Sequence, residues 1–355
     1  MRWLLVMLIF VPISIVLHYM PANDSARFVT AALAILPLAG FMGTATEELA
    51  KYRGSAVGGL LNATFGNATE LIIAIVAVGN GQTEVVRASL IGSIIGNILL
   101  VLGLSIFVGG LKHRIQHFNK ELAGAHGSMM MMAVISFLVP ALFVRNAHIH
   151  MPDASRAVTN LSIGVSTVLI VLYVGGLIFS LVTHESMLRD EEDAEGEHEP
   201  PIWSQKKCIG VLFVSTLFIA LESEYLVHSI EPVVQTWHIS KLFVGIILIP
   251  IIGNAAEHST AILMAMRNKM EISLNIAVSS ATQIAMFVAP VVVFASLWMH
   301  HPVSIIFSNV ELIAVAVAVV LSLQVSRDGK SHWLEGAQLL ATYVVIALAF
   351  YFVPG

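Results

Sequence analysis

Eleven apolar stretches, each long enough to cross a bilayer as a helix, dominate this chain of 355 residues. They run near residues 3–20, 28–43, 56–78, 88–110, 127–145, 160–182, 208–228, 242–265, 273–297, 303–322 and 335–353. A helix that spans the hydrocarbon core needs about 20 mostly apolar residues. Backbone groups in lipid must be satisfied internally, which leaves only helices and closed barrels. The stretches are continuous rather than alternating, so a barrel is excluded. Charged residues make up only 12% of the chain and hydrophobic ones 57%, whereas soluble domains carry about 25% charge. So few charges cannot cover a soluble globule of this size. The chain is read as an all-α integral membrane protein of about 11 transmembrane helices.

The start of the chain, Arg2 followed by an apolar run, has the form of a signal peptide. No small-residue cleavage site follows, because the flank is Tyr19-Met20-Pro21-Ala22-Asn23-Asp24. A retained helix is expected. Placing the N-terminus inside puts 13 of the 18 Lys and Arg residues on one face and 5 on the other. The positive-inside rule then gives a cytoplasmic N-terminus and an external C-terminus. The net charge of −5 argues against nucleic acid as a partner. The single cysteine, Cys208, excludes a disulfide framework.

One segment is strongly polar. Residues 185–199 hold eight carboxylates, including Asp190, Glu191, Glu192, Asp193 and Glu195, and Pro200-Pro201 follows. It lies on the cytoplasmic side between spans six and seven. It reads either as a solvated linker between halves or as a regulatory surface that gathers cations weakly.

An internal repeat organises the rest. Gly66-Asn67-Ala68-Thr69-Glu70 recurs as Gly253-Asn254-Ala255-Ala256-Glu257 at an offset of 187. A shorter match, Thr46-Glu47-Glu48-Leu49 with Ser223-Glu224-Tyr225-Leu226, precedes each copy at an offset of 177. The two Gly-Asn motifs fall in spans three and eight, so an odd number of crossings separates them and the copies run in opposite directions. That is an inverted-topology repeat, an architecture of many secondary transporters. The expected organisation is an extra N-terminal transmembrane helix (1–26), a first five-helix repeat (27–184), an acidic cytoplasmic linker (185–207) and a second five-helix repeat (208–355).

Glu70 and Glu257 each sit mid-span, where a carboxylate is costly unless paired, solvated or neutralised. Two carboxylates facing one cavity can neutralise one divalent cation or hold two protons, and the two states carry the same net charge. The bland reading is a pair of protonated, hydrogen-bonded structural glutamates. Around them, Asn67 and Asn254 offer amide oxygens. Gly66 and Gly253 permit broken helix geometry that frees carbonyl oxygens. Ser93, Asn97, Ser280 and Gln283 on the following helices add polar groups, which alone would read as packing glue. A set of hard oxygen donors suits Ca²⁺, and the absence of Cys and of paired His from these motifs argues against Zn²⁺ or Cu⁺. His258, opposite Leu71 in the repeat, either gates protons and tunes Glu257 or is hydrogen-bonded in the bundle. Glu47 and Glu224, near the ends of spans two and seven, are either entry carboxylates, one per face, or simply solvated at the interface. Glu48 and Glu222 share that ambiguity. His148 and His150 read as external-loop residues, and Met129–Met132 as packing.

The motifs Gly66-Asn67-Ala68-Thr69-Glu70-Leu71-Ile72 and Gly253-Asn254-Ala255-Ala256-Glu257-His258 resemble those of the cation/proton exchanger (CAX) family of the Ca²⁺/cation antiporter superfamily. The resemblance covers nearly the whole chain. It implies a Ca²⁺/H⁺ antiporter of compact, prokaryotic type in the cell (inner) membrane, with Ca²⁺ as transported substrate, no cofactor, and a homo-oligomer, trimers being known in the family. The family's Ca²⁺ glutamates fall on Glu70 and Glu257, with carbonyls around Gly66 and Gly253. Its polar helix positions fall on Ser93, Asn97, Ser280 and Gln283, and its proton-linked histidine on His258. In the family an acidic segment is associated with Ca²⁺ dependence. Na⁺/Ca²⁺ exchange is the alternative, disfavoured by the His258 motif. A passive cation channel is a further one. An intramembrane metalloenzyme lacks a His-Glu-x-x-His motif.

Overall fold

The protein is described here by a computed structural model, over residues 2–52, 54–147, 154–183 and 200–352. The acidic residues Asp190, Glu191, Glu192, Asp193 and Glu195, and the histidines His148 and His150, lie outside the described residues. The chain is mostly α-helical, and one short antiparallel pairing joins Gln116–His117 to Lys330–Ser331. Among the described residues, seven helices are long and apolar enough to cross a membrane: Asp24–Ala50, Thr83–His113, Lys120–Val144, Arg156–Thr183, Gln205–His228, Met270–Trp298 and Trp333–Phe352. Three shorter apolar helices, Leu4–Tyr19, Ala68–Gly79 and Asn309–Val325, accompany them.

Helix ends follow local chemistry. Asn23 caps Asp24–Ala50 by accepting the Ser25 N–H at 2.9 Å, and the Ser204 hydroxyl caps Gln205–His228. The stretch expected at 303–322 instead begins at Asn309, because Ser308 and Glu311 form a capping box there. Hydropathy extended that span into an apolar run, Val303 to Phe307, that is not helical. A short helix that hydropathy missed, Ile230–Trp237, meets Lys241–Gly253 at a bend of 118°.

Two expected spans are interrupted. The stretch 56–78 forms two helices, Gly54–Phe65 and Ala68–Gly79, parted at Gly66-Asn67. The stretch 242–265 breaks at Asn254, between Ile249–Gly253 and Ala255–Met266. The breaks share a backbone shape: Asn67 has φ −99° and ψ 23°, and Asn254 has φ −95° and ψ 5°.

The centre of the molecule is formed by Thr83–His113 and Met270–Trp298, with 78% and 72% of their apolar windows buried, against 17% for Arg156–Thr183 and 22% for Trp333–Phe352. The first pair is core and the second faces outward. Thr83–His113 also crosses the 241–253 segment in backbone contact. A Cβ on Gly92 would collide with the Ile246 carbonyl oxygen, and one on Gly245 with the Ala88 Cβ. Glycine at both positions lets the helices meet, as small residues do in membrane interfaces. Gly92→Ala is expected to lower the melting temperature in detergent, at a cost of about 1–3 kcal/mol from overpacking. A melting curve that overlays the wild type would show that the crossing is not this close.

A second, smaller core joins the N-terminal helix to Asp24–Ala50 and Gln205–His228 through Val11, Leu38, Met42, Ala45, Leu212 and Ile219, and Cys208 is buried in it. Glu48 fastens its edge. This carboxylate accepts the N–H groups of Ile202 at 2.5 Å and Trp203 at 2.9 Å, and the Lys51 ammonium at 2.8 Å. Charge-assisted bonds of this kind are stronger than neutral ones, so Glu48 acts here as a clasp between chain segments.

Candidate ion-binding site

Both helix breaks leave a glutamate in the first turn of the helix that follows. Glu70 stands in the first turn of Ala68–Gly79 and Glu257 in that of Ala255–Met266. The exposed N–H groups and dipole at a helix start favour negative charge. The sequence pattern therefore places both carboxylates at helix starts within an apolar bundle.

The two breaks face each other, and each glycine makes room for the opposite glutamate. A Cβ on Gly253 would lie 2.8 Å from Glu70 Oε1, and one on Gly66 would lie 3.2 Å from Glu257 Oε1. The carboxylates are close enough to act on one another electrostatically. Glu70 Oε1 and Glu257 Oε2 are buried and lack a hydrogen-bond partner. Such oxygens are acceptor capacity left open for a proton or a cation.

Amides and hydroxyls from four segments close the site. Asn67 Nδ2 donates to Gln283 Oε1 at 2.6 Å, and the Ser280 hydroxyl donates to Asn67 Oδ1 at 2.9 Å. Asn97 Nδ2 donates to Ser280 Oγ at 2.9 Å and to Asn254 Oδ1 at 3.4 Å. Asn254 Nδ2 donates to Ser93 Oγ at 3.3 Å and to the Pro250 carbonyl at 3.0 Å. All of the expected polar positions, Asn67, Asn254, Ser93, Asn97, Ser280 and Gln283, thus belong to one network beside the two carboxylates. Each central helix winds through a π turn here, at Gly96–Val101 and at Ile284–Val288. Such turns re-aim side chains and often mark functional sites. Among the described residues, no three His, Cys, Asp or Glu side chains converge. A cation held by Glu70 and Glu257 would have to complete its shell from amide, hydroxyl and carbonyl oxygens or water.

A cavity of about 490 Å³ reaches the site along the wall that Glu47 lines. Gly66, Gly253, Glu257, Ser280 and Gln283 line its inner end, and Glu47 lines its wall. The rest of its wall includes Thr44 and Thr46 of Asp24–Ala50, Asn62 and Phe65 of the first broken span, Thr260 and Leu263 of the second, and Asn275 with Ser279. On the other side of Glu70, the side chains Ile73, Ala74, Ala77 and Val78 are buried in the core. Glu224 does not reach this cavity. It lies half-exposed at the opposite end, where Asn80 Nδ2 donates to Glu224 Oε2 at 3.1 Å and His228 stands 3.4 Å from Oε1.

Several polar cavity residues, among them Asn62, Asn275 and Ser279, were not singled out from the sequence. A signal was present: Asn275, Ser279 and Gln283 recur every four residues and so share one helix face. His258 is not on the cavity wall, and its Nε2 is buried without a partner. Glu222 is fully buried rather than interfacial.

Taken together, the broken apolar helices and the paired carboxylates define a helical integral membrane protein with an intramembrane polar site. The family described as "Sodium/calcium exchanger protein" matches residues 25–182 and 207–352, and the chain belongs to it. It is 45% identical over 360 residues to the Ca(2+)/H(+) antiporter of Aphanothece halophytica, covering 98% of this chain and 96% of that one. It is 46% identical to the Ca(2+)/H(+) antiporter ChaA of Bacillus subtilis, covering 96% of each. The solved structure of native YfkE superposes with a TM-score of 0.85 at 41% identity, covering 99% of both chains.

Proposed function

We propose that this protein is a Ca²⁺/H⁺ antiporter that moves Ca²⁺ out of the cytosol against protons by alternating access. The observation that carries the reading is the reciprocal contact of the two motifs: Gly66 opens onto Glu257 and Gly253 onto Glu70. In this reading Glu70 and Glu257 bind either one Ca²⁺ or protons, and the surrounding amides, hydroxyls and break carbonyls complete the oxygen shell. The curated relatives named above as Ca(2+)/H(+) antiporters support it. Na⁺/Ca²⁺ exchange is the less favoured reading.

In this reading the chain crosses the membrane eleven times, with 54–79 and 241–266 each counted as one interrupted span. The like-shaped breaks and the two π turns support two inverted five-helix repeats, 27–184 and 208–355, after an extra helix at 1–26, with 185–207 as the linker. With the N-terminus cytoplasmic and the C-terminus external, the cavity opens to the cytosol. Glu47 is then the entry carboxylate of the open side and Glu224 that of the closed side, in a prokaryotic cell membrane. His258 acts beside Glu257 as a proton-linked group, and the acidic segment 185–199 regulates. The assembly proposed is a homo-oligomer, a trimer.

The test is Ca²⁺ uptake into reconstituted vesicles that are acid inside, with the membrane potential clamped and Na⁺ absent. Uptake that collapses with a protonophore is expected. Uptake that waits for a Na⁺ gradient would replace this reading by Na⁺/Ca²⁺ exchange, and uptake indifferent to both gradients would replace it by a channel. Protons and Ca²⁺ compete for the same oxygens, so the sign of the pH effect is fixed. Lowering the pH on the Ca²⁺-loading side should raise the apparent KM, by up to about tenfold per pH unit for each proton that must leave. An apparent KM independent of pH would refute shared carboxylates.

A further inference from the structure

The Gln205–His228 helix carries a second buried carboxyl that the exchange site does not use. Glu222 is 0% exposed. Neither of its oxygens has a hydrogen-bond partner of good geometry. The polar side chain that faces it is Ser14 of the N-terminal helix, itself 2% exposed. Glu224, two residues on, projects from the other side of the helix and is half-exposed.

Among the described residues, the Tyr225 phenol on the same helix lies close enough to feel Glu222 electrostatically, and the charged groups at this end of the helix are engaged with other partners. On the N-terminal helix, the His18 ring stacks on the Tyr225 ring at 3.9 Å, and Tyr19 meets Tyr225 edge-on at 6.5 Å. From Asp24–Ala50, the Arg27 guanidinium binds the Leu17 carbonyl at 3.1 Å, the Met20 carbonyl at 2.9 Å and Asp24 at 3.0 Å. From the helix ending at Gly79, Asn80 binds Glu224, and His228 lies against the same carboxylate. Among the described residues, no Lys, Arg or His forms an ion pair with Glu222. An ionised carboxylate in this place would be an uncompensated buried charge, which proteins avoid. One carboxyl and one hydroxyl also fall far short of the six to eight oxygens of a Ca²⁺ site. The ligand chemistry that suits the pocket is a single proton.

We propose that Glu222 is a proton-binding site, separate from Glu70 and Glu257, that is filled in this cavity-open conformation and holds the N-terminal helix against Gln205–His228 only while filled. The protonated carboxyl and the Ser14 hydroxyl can each donate and accept, so the neutral pair satisfies itself. Loss of the proton leaves a bare charge that must draw in water, and water can reach it only if the two helices part. The N-terminal helix, which lies outside the two repeats, thereby gains a dependence on proton activity of its own. Leu4 of that helix lines the cavity, so parting the pair would disturb the cavity wall.

Two measurements on the full chain test this, and neither needs transport. The first is an infrared pH titration of the Glu70→Gln/Glu257→Gln double variant with and without added Glu222→Gln. The double variant should keep a carboxylic-acid carbonyl band at neutral pH that vanishes when Glu222→Gln is added. Identical spectra would mean that Glu222 is ionised, and would overturn the proposal. The second is thiol labelling of Val11→Cys in a Cys208→Ser background. Val11 lies about one turn from Ser14 and is buried. Raising the pH from mildly acidic to alkaline should speed labelling severalfold more with Glu222 present than with Glu222→Gln, which cannot ionise and controls for thiol chemistry. Equal acceleration in both would show that the proton does not hold the helices together, and would overturn the second half of the proposal. Because both readouts work in a transport-dead protein, they stand or fall apart from the exchange mechanism.

Discussion

Replacing either Glu70 or Glu257 by glutamine is expected to abolish Ca²⁺ exchange, lowering the rate at least about a hundredfold, equivalent to about 2.7 kcal/mol. A divalent cation in a low-dielectric site needs both negative charges, and one carboxylate leaves the bound state with a net charge that the bundle cannot solvate. In the proposed mechanism the same change also removes a proton carrier, so the return limb of the cycle is expected to fail as well. Protein stability should not fall with transport. Each glutamate keeps a buried oxygen without a partner, and converting a costly carboxylate to a neutral amide of the same shape relieves that cost. The discriminating result is therefore a dead transporter with a melting temperature at or above that of the wild type. Near-normal exchange by either variant would remove these residues from the site.

The second large effect is expected at the two break glycines, and it differs between them. A Cβ at position 253 meets chiefly the Glu70 carboxylate, at 2.8 Å from Oε1 and 3.2 Å from Cδ. Gly253→Ala should therefore push a movable side chain out of place. The apparent KM for Ca²⁺ should rise about tenfold or more, a displacement cost of about 1.4 kcal/mol or more, with little loss of stability. A Cβ at position 66 meets Glu257 Oε1 at 3.2 Å but also the Asn62 backbone carbonyl at 2.7 Å. Backbone cannot swing aside, so Gly66→Ala should lower the melting temperature as well as exchange. The paired measurement is Ca²⁺ uptake and thermal unfolding of both variants. Equal loss of stability in the two, or wild-type KM in Gly253→Ala, would contradict the geometry of the breaks.

Much of this site was legible before any coordinates. An apolar span is an expensive place for a carboxylate, so Glu70 and Glu257 announced themselves by position. Their twin Gly-Asn contexts pointed to a shared chemistry. The amide and hydroxyl positions followed from their place on the next helix, and the structure joins them in one network. Glu48 and Glu222 were not legible. They looked like a second pair of interfacial carboxylates, because sequence reports depth along a helix but not what packs against each face. One proved to be a clasp for the Ile202 and Trp203 N–H groups, and the other a fully buried group beside Ser14.

What the amino-acid sequence determined by itself is the membrane solvent, the helical class, the two motif-bearing spans and the residues that meet between them. Those follow from local rules: apolar length, the cost of buried charge, and glycine where a helix must break. Tertiary structure alone decided that Gly66 faces Glu257 and Gly253 faces Glu70, that the cavity is lined by Glu47 and Glu257, and that Glu224 is not on its wall while Ile73, Ala74, Ala77 and Val78 are packed in the core. Which face of a bundle is open depends on how whole helices pack, and two packings of one chain can lie within a few kcal/mol of each other.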